Sequence, residues 1–423
     1  MTFFRNILRF VSAAVLCAAA FAQGVEGAPK VMLGIDVLES MGFAPIKNKR
    51  VGLLTHPAGV NRFGRSTIDV LRHAKGVNLT ALFGPEHGIY GNEKADVPVL
   101  DKIDRRTNLP VYSLYGKYRK PTPQMLSKID VLVVDLQDIG SRSYTYISCM
   151  LRAMEACFEN NKEVVVLDRP NPLGGVKVDG PKLDLEFKSY VGMFEIPYVH
   201  AMTIGELARF AKNTRGAMEI TSNYQRHGKL TVIPMKGWKR AMLWPDTGLR
   251  WVKTSPAIPN VAAVFGYPMT GLGCQIGGFQ HGYGTTKPFR LLTFSGKSPA
   301  AIKAALDKYK IRGVSFKVDS AKSLDGKKNV AGVYVVITDW NALRPTELSL
   351  YLMKLSCQFN NGNIFRYTDK NSALLFNKHT GSRELWRELS TKGAYLDAGW
   401  FANRWQSDNA DFKRISKKYY LYK

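Results

Sequence analysis

Acid–base chemistry needs carboxylates and histidines that the backbone brings close together, and this chain offers them at four places. Short β-branched runs end in Thr55-His56-Pro57, in Gly84-Pro85-Glu86-His87-Gly88, in Asp135-Leu136-Gln137-Asp138 and in Asp168-Arg169-Pro170-Asn171. In an open α/β sheet, ligands bind in the crevice outside the carboxyl ends of the strands. The four tips therefore predict one polar cleft, and convergent carboxylates in a cleft are the starting condition for general acid–base catalysis.

Glu86 is the foremost candidate. It follows Pro85 and lies between Gly84 and Gly88, beside His87. Glycines let the backbone approach a ligand closely, and a glutamate in a partly desolvated loop has its pKa pushed upward, as a general acid at neutral pH requires. The plainer alternative is a loop carboxylate bonded to neighbouring N–H groups. Asp135 and Asp138 are the candidates for placing a nucleophile or substrate hydroxyls; Arg142 close behind them orients the sugar or forms an ordinary ion pair. Asp168 and Asn171 flank a turn that two prolines stiffen. Arg169 within it suits a carboxylate, bidentately, or pairs with Asp168. His56 and His87 are expected at the substrate, and Tyr144 and Tyr146 fit stacking on a sugar face or burial in the core.

Several chemistries are missing. The sequence has no Gly-x-Ser-x-Gly elbow, no His-Glu-x-x-His, no Walker loop and no Gly-x-Gly-x-x-Gly after the first strand. His56, His87, His200 and His281 are not paired at ligand spacing, so neither a metal nor an organic cofactor is expected.

The elements that must position these residues alternate. Strands are predicted at Val51–Thr55, Leu79–Phe83, Val111–Leu114, Val131–Asp135 and Val164–Leu167. Helices are predicted at Ser66–Ala74, Pro123–Lys128 and Tyr144–Asn160, and Thr203 with Glu206 reads as a capping box. Such alternation predicts an α/β fold, a Rossmann-like parallel sheet covered on both faces, over 30–235. A loop-rich stretch, 238–290, is expected to line the cleft. A smaller auxiliary α/β lobe then occupies 236–423, with helices at Ala300–Lys308 and Glu347–Gln358 and strands at Val314–Val318 and Val330–Thr338.

The 423 residues are 45% hydrophobic and 22% charged, the balance of a globular rather than a disordered chain. Arg5 and Arg9 precede an apolar run from Phe10 to Phe21 and a small-x-small triplet, which reads as a secretory signal over 1–22. That run is too short to span a membrane, which takes ~20 residues, so no stable anchor and a periplasmic or secreted location are expected. Losing the signal lowers the formal charge by two from +26. The charge favours an anionic partner, yet the basic residues are scattered and a secreted chain makes nucleic acid an unfavoured one. Cys149 and Cys157 are too far apart on one helix for a disulfide, and the cysteines read as buried thiols.

Longer stretches resemble the NamZ-type exo-β-N-acetylmuramidases of glycoside hydrolase family 171. They are Gly84-Pro85-Glu86-His87-Gly88, Leu114-Tyr115-Gly116, Arg119-Lys120-Pro121-Thr122-Pro123, Asp135–Gly140 and Tyr144–Ser148. Val166–Gly175, Met235-Lys236-Gly237-Trp238 and Gly284–Phe289 continue the series, so the resemblance runs from about Gly34 to the terminal Tyr420-Leu421-Tyr422. It implies a two-lobed glycosidase that removes N-acetylmuramic acid from the non-reducing ends of peptidoglycan fragments, with Glu86 as the catalytic glutamate and a muropeptide or amino sugar as partner.

Departures fall mostly in the second half. Gln275-Ile276-Gly277-Gly278 stands where the family carries Glu-Gly-Thr-Asn, Tyr283 replaces an arginine, Ala257 an asparagine and Tyr90 an arginine. Gln275 and Tyr283 are accordingly expected at the substrate. An amide holds a water but is no base, so a relative that binds muropeptides without turnover is the competing expectation.

Overall fold

The computed structural model describes residues 30–91 and 102–423. The expected secretory segment, 1–22, lies outside the described residues.

The alternating first half folds into a seven-stranded sheet. Its strands are β1 (Arg50–Thr55), β2 (Asn78–Gly84), β3 (Lys102–Ile103), β4 (Pro110–Ser113), β5 (Val131–Asp135) and β6 (Glu163–Leu167). After a short antiparallel pair, β7 (Asp179–Lys182) and β8 (Pro197–Val199), β9 (Leu230–Ile233) completes it. The spatial order is β3-β4-β2-β1-β5-β6-β9, parallel throughout except at the β3 edge. All five residues of β5 are buried, as a strand covered on both faces requires. The helix Tyr146–Glu159 packs in the apolar cluster on one side, and a second cluster fills the other. Thr203 and Glu206 form the expected capping box at the helix Ile204–Asn213.

The later part of the chain carries β10 (Phe279–Gln280), β11 (Leu291–Phe294), β12 (Val314–Lys322) and β13 (Asn329–Ile337). These form an antiparallel sheet in the order β10-β11-β13-β12. The sequence marked two of these strands but not their direction; a hairpin turn through Asp325 and Gly326 (φ 72°) joins β12 to β13. Helices Lys370–Thr380, Arg383–Lys392 and Ala398–Ser416, not foreseen from the sequence, close the fold. One apolar cluster runs through both parts of the chain. The four cysteines after the expected signal are free; three are buried as expected, while Cys274 is only partly covered.

From β1 the chain builds outward through β2 and β4, then returns to place β5 on the other side of β1. This reversal is the switch point at which open α/β sheets hold ligands. Here hydrogen bonds tie the loops above it together. The Gln137 backbone N–H donates to His56 Nε2 at 2.9 Å. Arg169 donates from Nε to Asp135 Oδ1 at 2.5 Å and from Nη2 to Oδ2 at 2.9 Å. Burial, then the Arg169 guanidinium, hold His56 well below its usual pKa, and a backbone bond with Thr254 only partly opposes them.

Arg142 bolts the two parts of the chain together. It is fully buried, with Nη1 donating to the carbonyls of Pro181 (2.6 Å) and Ile196 (2.8 Å). Its Nη2 donates to the carbonyls of Thr380 (2.7 Å) and His379 (3.3 Å), at the end of the helix Lys370–Thr380. Burial lowers its pKa to about 10. The expectation that Arg142 orients a sugar is corrected: it is fully buried and both Nη groups are used on backbone oxygens.

Arg142→Met leaves buried carbonyls without donors, at ~1–3 kcal/mol each. Urea denaturation should show a loss of roughly 3–5 kcal/mol, with Arg142→Lys in between. His56 gives a pH signature. Unfolded, it takes up a proton near 6.5, and folded only well below that, so acid favours the unfolded chain and stability falls as pH drops below 6.5. His56→Gln, whose amide oxygen can accept the same bond, should flatten melting temperature against pH between about 6.5 and 5.

Candidate active site

Glu86 stands on a tight turn directly after β2. The Gly88 N–H donates to the Pro85 carbonyl at 2.9 Å, and φ is +71° at His87 and +70° at Gly88. A positive φ at the third position but not the second makes this a type II turn, which favours glycine or asparagine there. His87 holds the position instead, at a cost of about 1–3 kcal/mol. Such strain collects where a side chain must be aimed. Glu86 is half-buried, and Thr145 Oγ1, at the head of the helix Tyr146–Glu159, donates to its Oε2 at 2.9 Å.

The Glu86 carboxylate lines a cavity of about 650 Å³. Tyr115, Arg119, Tyr144, Tyr146 and Tyr190 line it from the first half of the chain, and Tyr267, Gln275, Lys378 and His379 from the second. Among the described lining residues, Glu86 is the single carboxylate. Burial raises the pKa of Tyr267 to about 12 and raises that of Tyr144 further, so both hydroxyls stay protonated at neutral pH. Tyr146 and Tyr144 are tied to Thr254, the first donating to its carbonyl at 2.5 Å and the second to its Oγ1 at 2.8 Å. Arg119 lies at the rim, its guanidinium 4.3 Å from the Tyr190 ring centre and 5.0 Å from that of Tyr115. It has no carboxylate partner among the described residues.

The residues expected in one cleft are therefore sorted into separate places. Glu86, His87, Tyr144, Tyr146 and Gln275 line the cavity together, with Ala257 beside them. Asp135 is fully buried against Arg169 and accepts from Thr67 Oγ1 as well, so it places no nucleophile in this cavity. Asp138 Oδ2 accepts from the Gly140 N–H at 2.7 Å and faces His200 Nε2 at 3.2 Å. Asp168 accepts four bonds, from the N–H groups of Arg169 and Gly205 and the hydroxyls of Thr203 and Tyr422. Asn171 bonds Met202 and Leu173. The substrate roles expected of His56, Asp168 and Asn171 are corrected on the same ground: each is buried and bonded within the protein. Arg169 lines a different hollow, and Tyr283 is 67% exposed, away from the cavity. Tyr90, at the other departure, donates to Asp104 Oδ1 at 2.8 Å.

Sequence reasoning gave no role to Thr145, Arg119, Tyr190, Tyr267 or Lys378. Arg119 was legible in principle, because it opens one of the matching stretches and is rich in neighbouring tyrosine. Lys378 carries no local signal. Among the described residues no group of three or more His, Cys, Asp or Glu is placed to hold a metal.

The model of the exo-β-N-acetylmuramidase NamZ N-terminal region matches residues 51–262, and that of its C-terminal region matches 265–422. The peptidoglycan β-N-acetylmuramidase NamZ of Bacillus subtilis is 42% identical over 331 residues, 77% of this chain and 77% of that protein. A crystal structure of a DUF1343 family protein from Bacteroides fragilis superposes with a TM-score of 0.81 at 40% identity, covering 94% of this chain and all of that one. A second protein of that family and organism gives 0.69 at 29% identity, covering 93% and 99%. This chain belongs to the NamZ exo-β-N-acetylmuramidase family.

Proposed function

We propose that this protein is a peptidoglycan hydrolase that removes N-acetylmuramic acid from non-reducing ends, with Glu86 as the general acid. The observation that carries this reading is the single carboxylate among the described lining residues, bonded by Thr145, in a cavity that also presents tyrosine hydroxyls, Arg119 and Lys378. Glu86 gives its proton to the glycosidic oxygen as the bond from that oxygen to C1 breaks. Because no second carboxylate lines the cavity among the described residues, the electron pair that replaces it comes from the sugar's own acetamido oxygen. Substrate-assisted glycosidases use that route. Water then opens the cyclic intermediate at C1 and returns its proton to Glu86.

Arg119 and Lys378 supply the charge that suits the lactyl carboxylate of muramic acid, the role the sequence offered to Arg169. Arg169 is already neutralised by Asp135. The leader read at 1–22 and a cell-wall substrate support action in the periplasm or outside the cell. No helix among the described residues is long and apolar enough to cross a membrane. Gln275 favours one second reading, a relative that binds muropeptides without turnover; calorimetric binding with no released sugar would establish it.

With a muramyl-glucosamine disaccharide, Glu86→Gln should lower kcat by ~10²–10⁴, the usual worth of a positioned acid, with an unchanged circular dichroism spectrum. Equal rates for the two proteins remove Glu86 from the mechanism. Arg119→Met should raise KM roughly 10- to 100-fold, the worth of a charge-assisted bond, while kcat moves little. A disaccharide whose terminal sugar lacks the lactyl group should not distinguish Arg119→Met from wild type.

A further inference from the structure

A second hollow, of about 440 Å³, opens over the switch point of the seven-stranded sheet and shares no lining residue with the Glu86 cavity. It falls within the ~300–1,000 Å³ of ordinary small-molecule sites. The loop after β1 supplies Arg62, the one after β5 supplies Gln137, and the one after β6 supplies Arg169. The segment 249–253 closes it with Trp251, Arg250 and Lys253. His56 accepts from Gln137, which lines this hollow, and Thr254 accepts from Tyr146, which lines the Glu86 cavity.

The lining is chemically one-sided. It has four cationic side chains and no aspartate or glutamate. Asp135 neutralises Arg169, and Arg62 reaches Asp36 only at 4.0 Å. Arg250 and Lys253 have no ion pair among the described residues, so the hollow keeps a net positive charge. Beside the charges stand polar atoms that are buried and have no hydrogen-bond partner: Gln137 Oε1, Trp244 Nε1 and Arg62 Nε, the atom that faces Asp36 at 4.0 Å. The orientation of Gln137 is fixed, because its Nε2 donates to the carbonyls of Asp138 (2.8 Å) and Pro170 (2.9 Å). Its oxygen is thus an acceptor awaiting a hydroxyl. Trp244 and Trp251 cross edge to face at 4.8 Å and give the hollow an aromatic side.

An oxyanion for the cations, a hydroxyl for Gln137 and a ring face for the tryptophans together describe one class of ligand. We propose that this hollow is a second binding site, for a hexose that bears a carboxylate or a phosphate, distinct from the Glu86 cavity. It does not depend on the muramidase reading.

The test uses the mature protein in calorimetry and tryptophan fluorescence, with glucose 6-phosphate, glucuronate, glucose and inorganic phosphate as probes. At least one charged sugar should bind saturably, about tenfold or more tighter than glucose and than inorganic phosphate, and should quench fluorescence. The better of the two charged probes tells phosphate from carboxylate. Arg250→Ala with Lys253→Ala, both at the rim, should weaken that binding tenfold or more. Arg119→Met, in the other cavity, should leave it unchanged. The proposal is overturned if neither charged sugar saturates, if glucose or inorganic phosphate binds as well, or if the double variant binds like wild type. Loss of binding in Arg119→Met with the double variant unaffected would place the ligand in the Glu86 cavity instead, and also overturns it.

Discussion

The fold's functional end rests on the buried pair between Asp135 and Arg169. Asp135, last residue of β5, accepts from the Arg169 Nε and Nη2 and from Thr67 Oγ1, while Arg169 Nη2 also donates to the Val60 carbonyl at 2.6 Å. Four segments meet there: the loop after β1, the helix Thr67–Arg72, and the ends of β5 and β6. Removing one partner strands the other charge in a desolvated site, typically at ~3–5 kcal/mol. A salt bridge this deep need not add net stability over an apolar pair. What it does here is fix four loops to one another with directional bonds.

That constraint explains why a row of charged strand ends does not make one cleft. The pair consumes the charges above β5 and β6. The His56 imidazole, kept neutral by burial and the Arg169 guanidinium, bonds the loops above β1 and β5. Together they tie these loops to one another. On one side the loops after β2 and β4 and the helix start at Thr145 set up Glu86; on the other, unpaired cations face a separate space. Arg142 does the equivalent work at longer range, satisfying backbone carbonyls on the helix Lys370–Thr380, which carries Lys378 to the cavity.

The strands were legible because a parallel strand buried on both faces needs an unbroken apolar run, and Val131–Asp135 matches the expected bounds residue for residue. The helix Ala398–Ser416 was overlooked although its buried residues Phe401, Ala402, Trp405, Asn409 and Phe412 keep helical spacing; a polar Asn409 and surrounding charge diluted the stripe. The site was legible in type and not in placement. Asp135, Asp138, Asp168 and Glu86 have the same chemistry in a sequence, and only the partner each finds decides which lines the cavity. Asp135 finds Arg169 thirty-four residues away, a pairing no local motif announces. Glu86 instead sits on a turn strained at His87, where it accepts a bond from Thr145 and lines a cavity.

Gln275 lines the cavity at the position where the resembled pattern has a glutamate, and that bears on the proposed chemistry. Where two carboxylates flank a glycosidic bond, their separation sets the outcome, ~5–5.5 Å for retention and ~6.5–9.5 Å for inversion. Among the described lining residues Glu86 is the single carboxylate, so no such pair is present there. The hydroxyls that share the cavity cannot take the base's place, since burial holds Tyr144 and Tyr267 protonated. The Gln275 amide can orient a water or a carbonyl but cannot accept a proton at ordinary pH. The proposed route takes the electron pair from the oxygen on the acetamido arm of the sugar. It needs no base to expose it, and a neutral, hydrogen-bonding surface is what it requires for alignment. The cavity's tyrosines and its glutamine offer that surface, which is what the proposed substrate-assisted route uses.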